Sequence, residues 1–159
     1  MKRIFLLVAF LATSLVYNSY AQDHSDHTQS GDLLNLYYKT KDALVAGNAN
    51  LVASKSAELV KVLNSTEDKT VSKTMKVSLL EHAGMIAESK DLKSQREHFA
   101  GLSNGMIALA KSTKLSAEPI YQQYCPMKKA NWLSSEKAIK NPYYGNSMLT
   151  CGKIVETIK

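Results

Sequence analysis

Apolar residues recur every three to four positions through most of the chain, which is the period of a helix with one buried face. Leu33, Leu36, Tyr37 and Leu44 form the first stripe, behind Asp32 as an N-cap and ahead of Gly47-Asn48, a pair suited to a left-handed helix end. Val52, Ser56, Leu59, Val60 and Leu63 mark a second stripe, closed by Asn64-Ser65. A third runs from Glu67 to Ser89 with Val71, Met75, Leu79, His82 and Ile86 on one face, and a fourth from Asp91 to Thr113 with Leu92, Phe99, Leu102, Met106 and Leu109. Four amphipathic helices joined by short polar breaks predict an all-α fold, an antiparallel up-and-down bundle. After Leu115 the helical period gives way to aromatics and turn formers, which predicts an irregular, aromatic-rich C-terminal segment within one helical domain spanning 32–159.

The other end of the chain is patterned differently. Ile4 to Val16 is almost continuously apolar behind Lys2 and Arg3, and Ser19-Tyr20-Ala21 places small residues at the third and first positions before a cut. This is the layout of an export signal over 1–21, with the mature chain beginning at Gln22. Its apolar run of about a dozen residues falls short of the roughly 20 that a membrane span needs, so no stable span is expected after cleavage. Residues 22–31 are polar, rich in Asp, His and Ser, and predict a flexible tail.

Charge adds little to the picture. The leader carries two of the twenty basic residues, so eighteen against fourteen acidic ones leave the exported chain at +4. That excess is spread out, with no basic cluster interleaved with aromatics, which argues against a nucleic-acid partner. What remains after the leader, about 140 residues, suffices for one core. Export to the periplasm or beyond means an oxidising compartment, where a free thiol needs a reason to stay free.

Enzyme chemistry finds no footing. Gly101-Leu102-Ser103-Asn104-Gly105 matches the G-x-S-x-G pattern of a nucleophile elbow, but that motif requires a strand before it and this one lies inside the fourth helix. Its two glycines instead suit a close helix crossing. No paired carboxylates, nucleophile-base constellation or phosphate loop appears at a working spacing, so the chain is not expected to be an enzyme.

Metal chemistry has better candidates. Both cysteines sit beside methionines, in Cys125-Pro126-Met127 and Met148-Leu149-Thr150-Cys151. Thiolate and thioether sulfurs are the ligands that select Cu(I). Pro126 pushes Cys125 into extended backbone, where Cys125 and Met127 would share a side, and Met148 and Cys151 suit one face of a short turn ahead of Gly152. Asn141-Pro142 and Tyr144-Gly145 bound a turn able to bring the two segments together, so that four sulfurs converge. His82, on the apolar stripe of the third helix, reads either as a hydrogen-bonded core residue or as a ligand. His98 lies at the margin of its stripe, and Met75, Met85 and Met106 read as core filler. The tail histidines read first as part of a solvated segment; alternatively, His24 as third residue of the mature chain would offer Cu(II) or Ni(II) an amine, two amides and an imidazole, with His27 adding a second ring.

Tyr124-Cys125-Pro126-Met127, Trp132-Leu133-Ser134, Ile139, Asn141-Pro142-Tyr143-Tyr144-Gly145, Met148-Leu149 and Cys151-Gly152 together resemble the signature of an exported helical domain family of unknown function. Tyr38 through Leu44, Glu81-His82 and Gln95 through Ser103 fit its helical part, so the resemblance spans nearly the whole mature chain. Members of that family occur alone after a signal peptide or fused to the C-terminus of periplasmic adaptor subunits of copper and silver efflux pumps. The resemblance implies a module associated with heavy-metal export. Cys125, Met127, Met148 and Cys151 match as metal-site positions, with His82 as an addition. This chain departs from many members in the short stretch Lys128 to Asn131 between the Met and the Trp, which narrows any cavity beside Met127.

Two functions therefore stand. In one, the protein binds Cu(I) or Ag(I) through the sulfurs and passes it to a periplasmic component of an efflux system. In the other, Cys125 and Cys151 form a disulfide across a loop of about 25 residues, worth roughly 3 kcal/mol, in a structural or partner-docking domain whose aromatic and Asn-Pro residues are packing and turn elements. Trp132 and the tyrosines read either as core, the more usual place for scattered aromatics, or as a docking surface for an efflux component.

Overall fold

The computed structural model describes residues 24–159, with side chains from Ser30 onward; the predicted export signal and the first two residues of the mature chain lie outside the described residues. Helices α1 (His24–Val45), α2 (Ala49–Ser65), α3 (Lys73–Glu88) and α4 (Leu92–Ser112) come first, each packed against the next. Leu33, Tyr37 and Leu44 of α1, Leu59 and Leu63 of α2, Leu79 and Ile86 of α3 and Phe99, Leu102 and Met106 of α4 are fully buried, so the stripes read from the sequence are the core.

The helix ends follow from their capping chemistry. Gly47 takes a left-handed φ of 69°, while Gly47 N–H and Asn48 N–H donate to the carbonyls of Leu44 and Ala43 at 3.2 and 3.0 Å. Asn48 then caps α2, its Oδ1 accepting from Leu51 N–H at 3.0 Å, and Asp91 caps α4 by accepting from Ser94 N–H at 2.8 Å. Two boundaries differ from expectation. Asp32 does not cap α1: the helix already runs from His24, because propagation adds one hydrogen bond per residue and nothing in 24–31 is a proline. The third helix starts at Lys73 rather than Glu67, because the Lys76 ammonium bonds the Thr66 carbonyl and, at 3.0 Å, the Asp68 carboxylate, stabilising a turn over the intervening residues.

The C-terminal segment is not irregular, and the fold is therefore not purely all-α. It forms strands β1 (Ile120–Cys125), β2 (Ala130–Ser134) and β3 (Lys153–Ile158), an antiparallel sheet in the order β2-β1-β3. Tyr, Trp and β-branched residues favour strands, and Ile154-Val155-Glu156-Thr157-Ile158 is almost a pure β-former run, but five or six residues per strand leave a short signal.

Packing of β2 on α4 joins the sheet to the bundle. A buried polar node fixes this joint: Tyr37 OH lies 2.8 Å from Ser103 Oγ and accepts the Leu133 N–H at 3.0 Å. Tyr143 OH in turn donates to the Asn131 carbonyl, so two tyrosines occupy the backbone groups on the outer side of β2, one way of blunting an exposed sheet edge. Trp132 is fully buried, edge-on to Tyr143, and belongs to the core rather than to a docking surface.

Gly101 and Gly105, the glycines of the false elbow, permit the close α3–α4 crossing. A Cβ at Gly101 would lie 2.2 Å from His82 Nε2, and one at Gly105 2.7 Å from Leu79 Cδ2. Among the described residues no helix is long and apolar enough to cross a membrane.

Replacing Tyr37 by Phe keeps the ring but strands the buried Leu133 N–H and Ser103 hydroxyl. A loss of about 1–3 kcal/mol in denaturant unfolding is expected, and a loss below experimental error would show that the node contributes nothing.

Candidate functional site

Cys125 ends β1 and is buried, and Cys151 precedes β3 and is half-buried. β1 and β3 are neighbours in the sheet, so the end of one strand meets the start of the other, where Tyr124 pairs with Lys153. Both cysteines are free, and Cys125 acts electrostatically on the Cys151 thiol. The expected convergence of the two segments is thus present for the cysteines.

Cys125 Sγ accepts from two N–H groups. Asn141 Nδ2 donates at 3.2 Å and the Lys128 backbone N–H at 3.4 Å. Donors aimed at sulfur stabilise negative charge that develops on it. The Lys128 contact comes from the hairpin loop itself: Pro126 opens it, and Lys129 completes it with a left-handed φ of 55°. Asn141 is held with equal care. Its amide also donates to the Cys151 carbonyl at 2.7 Å, its Oδ1 accepts from Tyr143 N–H at 2.9 Å, and its backbone N–H donates to the Leu149 carbonyl at 2.8 Å.

Arg96 ties this loop to the bundle. Its Nε donates to the Pro142 carbonyl at 3.0 Å and its Nη2 to the Leu44 carbonyl at the end of α1 at 3.2 Å. On the other side Gly152 lies against the indole of Trp132: a Cβ there would come within 2.8 Å of the ring and 3.0 Å of the Tyr124 carbonyl. Glycine therefore lets Cys151 approach the sheet.

The methionines are placed differently from the cysteines. Met127 is not on an extended stretch beside Cys125 but in the turn after it, 61% exposed, because Pro126 begins the reversal. Met148 is 38% exposed, one turn from Cys151, whose N–H donates to the Met148 carbonyl at 3.1 Å, the turn predicted for this pair. Both methionines are thus near the cysteines in sequence and open to solvent. Among the described residues no group of three or more His, Cys, Asp and Glu side chains converges, so an ion at the thiol pair would have two thiolates and, at most, thioether beside them.

His82 stands apart from the sulfurs, on α3, with its ring over Gly101 and 6.1 Å from that of His98. Met75 and Met106 fill the core as expected, but Met85 does not, being 47% exposed. The backbone of His24 and His27 is part of α1, and their side chains lie outside the described residues. Sequence reading treated Asn141 and Lys128 as turn and spacer. The only available signal was Asn before Pro, and that signal marks a turn without saying where the amide points.

Fold and site together define a four-helix bundle with an appended three-stranded sheet that carries a pair of adjacent thiols. The chain belongs to the family of proteins of unknown function DUF3347, whose model matches residues 33–118. The match takes in the helical stripes of all four helices and ends before β1, so both cysteines lie outside it. No curated protein and no solved structure matches the chain.

Burial raises the Cys151 thiol above its ordinary pKa, and the charge and hydrogen bond of Cys125 push in the same direction. Replacing Cys125 by Ala removes two of these three causes, so the Cys151 pKa should fall, its thiolate fraction at about pH 8 should rise, and alkylation by iodoacetamide should quicken. An unchanged rate-against-pH profile would show that Cys125 does not act on Cys151. Asn141→Ala should cost about 2–3 kcal/mol in denaturant unfolding, since it leaves the buried Tyr143 N–H and the Cys151 carbonyl without their partner.

Proposed function

We propose that the protein is an exported, periplasmic soft-metal-binding module serving heavy-metal efflux or homeostasis, with Cu(I) or Ag(I) as its cargo. Cys125 and Cys151 supply two thiolates, and Met148 and Met127 supply thioethers at the solvent side. The observation that carries this reading is the pair of thiols brought together from separate segments with two N–H donors trained on Cys125 Sγ. Two thiolates satisfy the linear coordination that Cu(I) accepts, and the adjacent exposed thioethers give an incoming or departing ion an intermediate ligand for exchange with a partner. The leader-like residues 1–21 and the likeness to domains found beside copper and silver pumps support the compartment and the class of partner.

The same adjacency supports a second reading, in which oxidation joins Cys125 to Cys151 and the domain is structural or partner-docking. An exported location favours it, since disulfides persist there.

Intact native mass spectrometry of protein isolated from the periplasm without reductant, after anaerobic exposure to limiting Cu(I), separates the two. One bound copper, lost on Cys125→Ser or Cys151→Ser while circular dichroism stays unchanged, is the expected result. A mass two hydrogens light with no copper would overturn the metal reading in favour of the disulfide.

A further inference from the structure

The α3–α4 crossing holds a second donor cluster that the thiol pair does not use. His82 on α3 and His98 on α4 are both half-buried, with ring centres 6.1 Å apart and planes inclined at 41°. His82 Nδ1 is buried and, among the described residues, has no hydrogen-bond partner, an uncommon state for a polar atom in a helix interface. The absence of a side chain at Gly101 admits the His82 ring to the crossing, since a Cβ there would strike Nε2, Cε1 and Cδ2 at 2.2–2.6 Å.

The crossing also supplies a third donor. His82 lies against Gly101 and Leu79 against Gly105, so the two helices run past each other in opposite directions in this register. Moving three residues forward from His82 reaches Met85, and moving three back from Gly101 reaches His98. Met85 and His98 therefore come level across the interface, and Met85 shares the His82 face of α3 at i,i+3. The Met85 side chain is 47% exposed where a core methionine would be covered, which leaves its sulfur reachable from solvent.

We infer that His82, Met85 and His98 form a binding site for a monovalent soft ion of the Cu(I) or Ag(I) class. One ion bonded to two imidazole nitrogens at about 2 Å holds the ring centres about 5.5–6.5 Å apart between trigonal and linear geometry, and the observed separation falls within that range. The chemistry of the set points the same way. Imidazole suits copper and zinc alike, but thioether selects the soft ion, and three neutral donors offer no anionic ligand to a divalent one. The site is distinct from the thiol pair: α3 packs on α2 and α4, whereas Cys125 ends β1 and Cys151 lies just before β3.

An anaerobic titration of the purified protein with Ag(I), followed by NMR of methionine methyl and histidine ring resonances, tests this. Beyond the first equivalent, the Met85 methyl and both imidazoles should shift together. His98→Gln should abolish those shifts at Met85 and His82, and Met85→Leu should weaken the second event at least tenfold. Neither substitution enters the fully buried core, and Cys125→Ser should leave this event in place. Unshifted Met85 and histidines at two equivalents would overturn the site, as would shifts at Met85 that persist in His98→Gln. Zn(II) shifting both rings without Met85, with Ag(I) shifting neither, would overturn the soft-ion class. Loss of only the cysteine-dependent first event would count against the thiol reading and leave this one standing.

Discussion

The Asn141 carboxamide is the constraint on which the thiol pair depends. One side chain bonds the Cys125 sulfur, the Cys151 carbonyl and the Tyr143 N–H, while its own N–H reaches the Leu149 carbonyl. Its donors and acceptors are directional, so the loop that follows β2 can close over the end of β1 in few ways. The following proline has no N–H to compete for partners and disfavours a helical Asn141. Arg96 carries the constraint into the bundle by bonding the Pro142 carbonyl and the last turn of α1. The bundle that the family model matches thereby serves as the rigid support for a sulfur site lying outside that match.

A second joint works at the other end of the same sheet. Tyr37, buried on α1, stacks on Phe99 with ring centres 5.2 Å apart and turns its hydroxyl toward Ser103 and the Leu133 N–H. This use of a polar tip on an apolar ring ties α1, α4 and β2 at one point without stranding a buried polar group. With β2 fixed in this way and Trp132 packed against Gly152, Cys125 at the end of β1 and Cys151 just before β3 are held against the same end of the sheet. Groups already held in place lose little freedom on forming a new bond.

Helix positions were legible because their determinants are local. The stripe Leu33, Leu36, Tyr37, Leu44 lies within four turns, and Gly47-Asn48 and Asp91 act on backbone groups a few residues away. The glycine pair in α4 was legible too, as a close crossing rather than a nucleophile turn, because no strand precedes it. Strands were not legible, since each is short and its pairing partner is up to 38 residues distant, as Ile120 is from Ile158. The start of α3 was misjudged for a related reason: Val71 sits on the apolar period but is buried from within a turn, stabilised by Lys76.

By itself the sequence determined four amphipathic helices, the Gly47-Asn48 end of the first, and the presence of two cysteines flanked by methionines. Which sulfurs meet was left to tertiary structure. Cys125 reaches Cys151 only through the β1–β3 register, Met127 is turned out by the hairpin that Pro126 starts, and His82 is matched to His98 by a helix crossing that Gly101 permits. Periodicity along a chain reports which face a residue occupies, because that depends on neighbours three or four positions away. Contact between side chains far apart in sequence depends on how whole elements dock, and no local pattern records it.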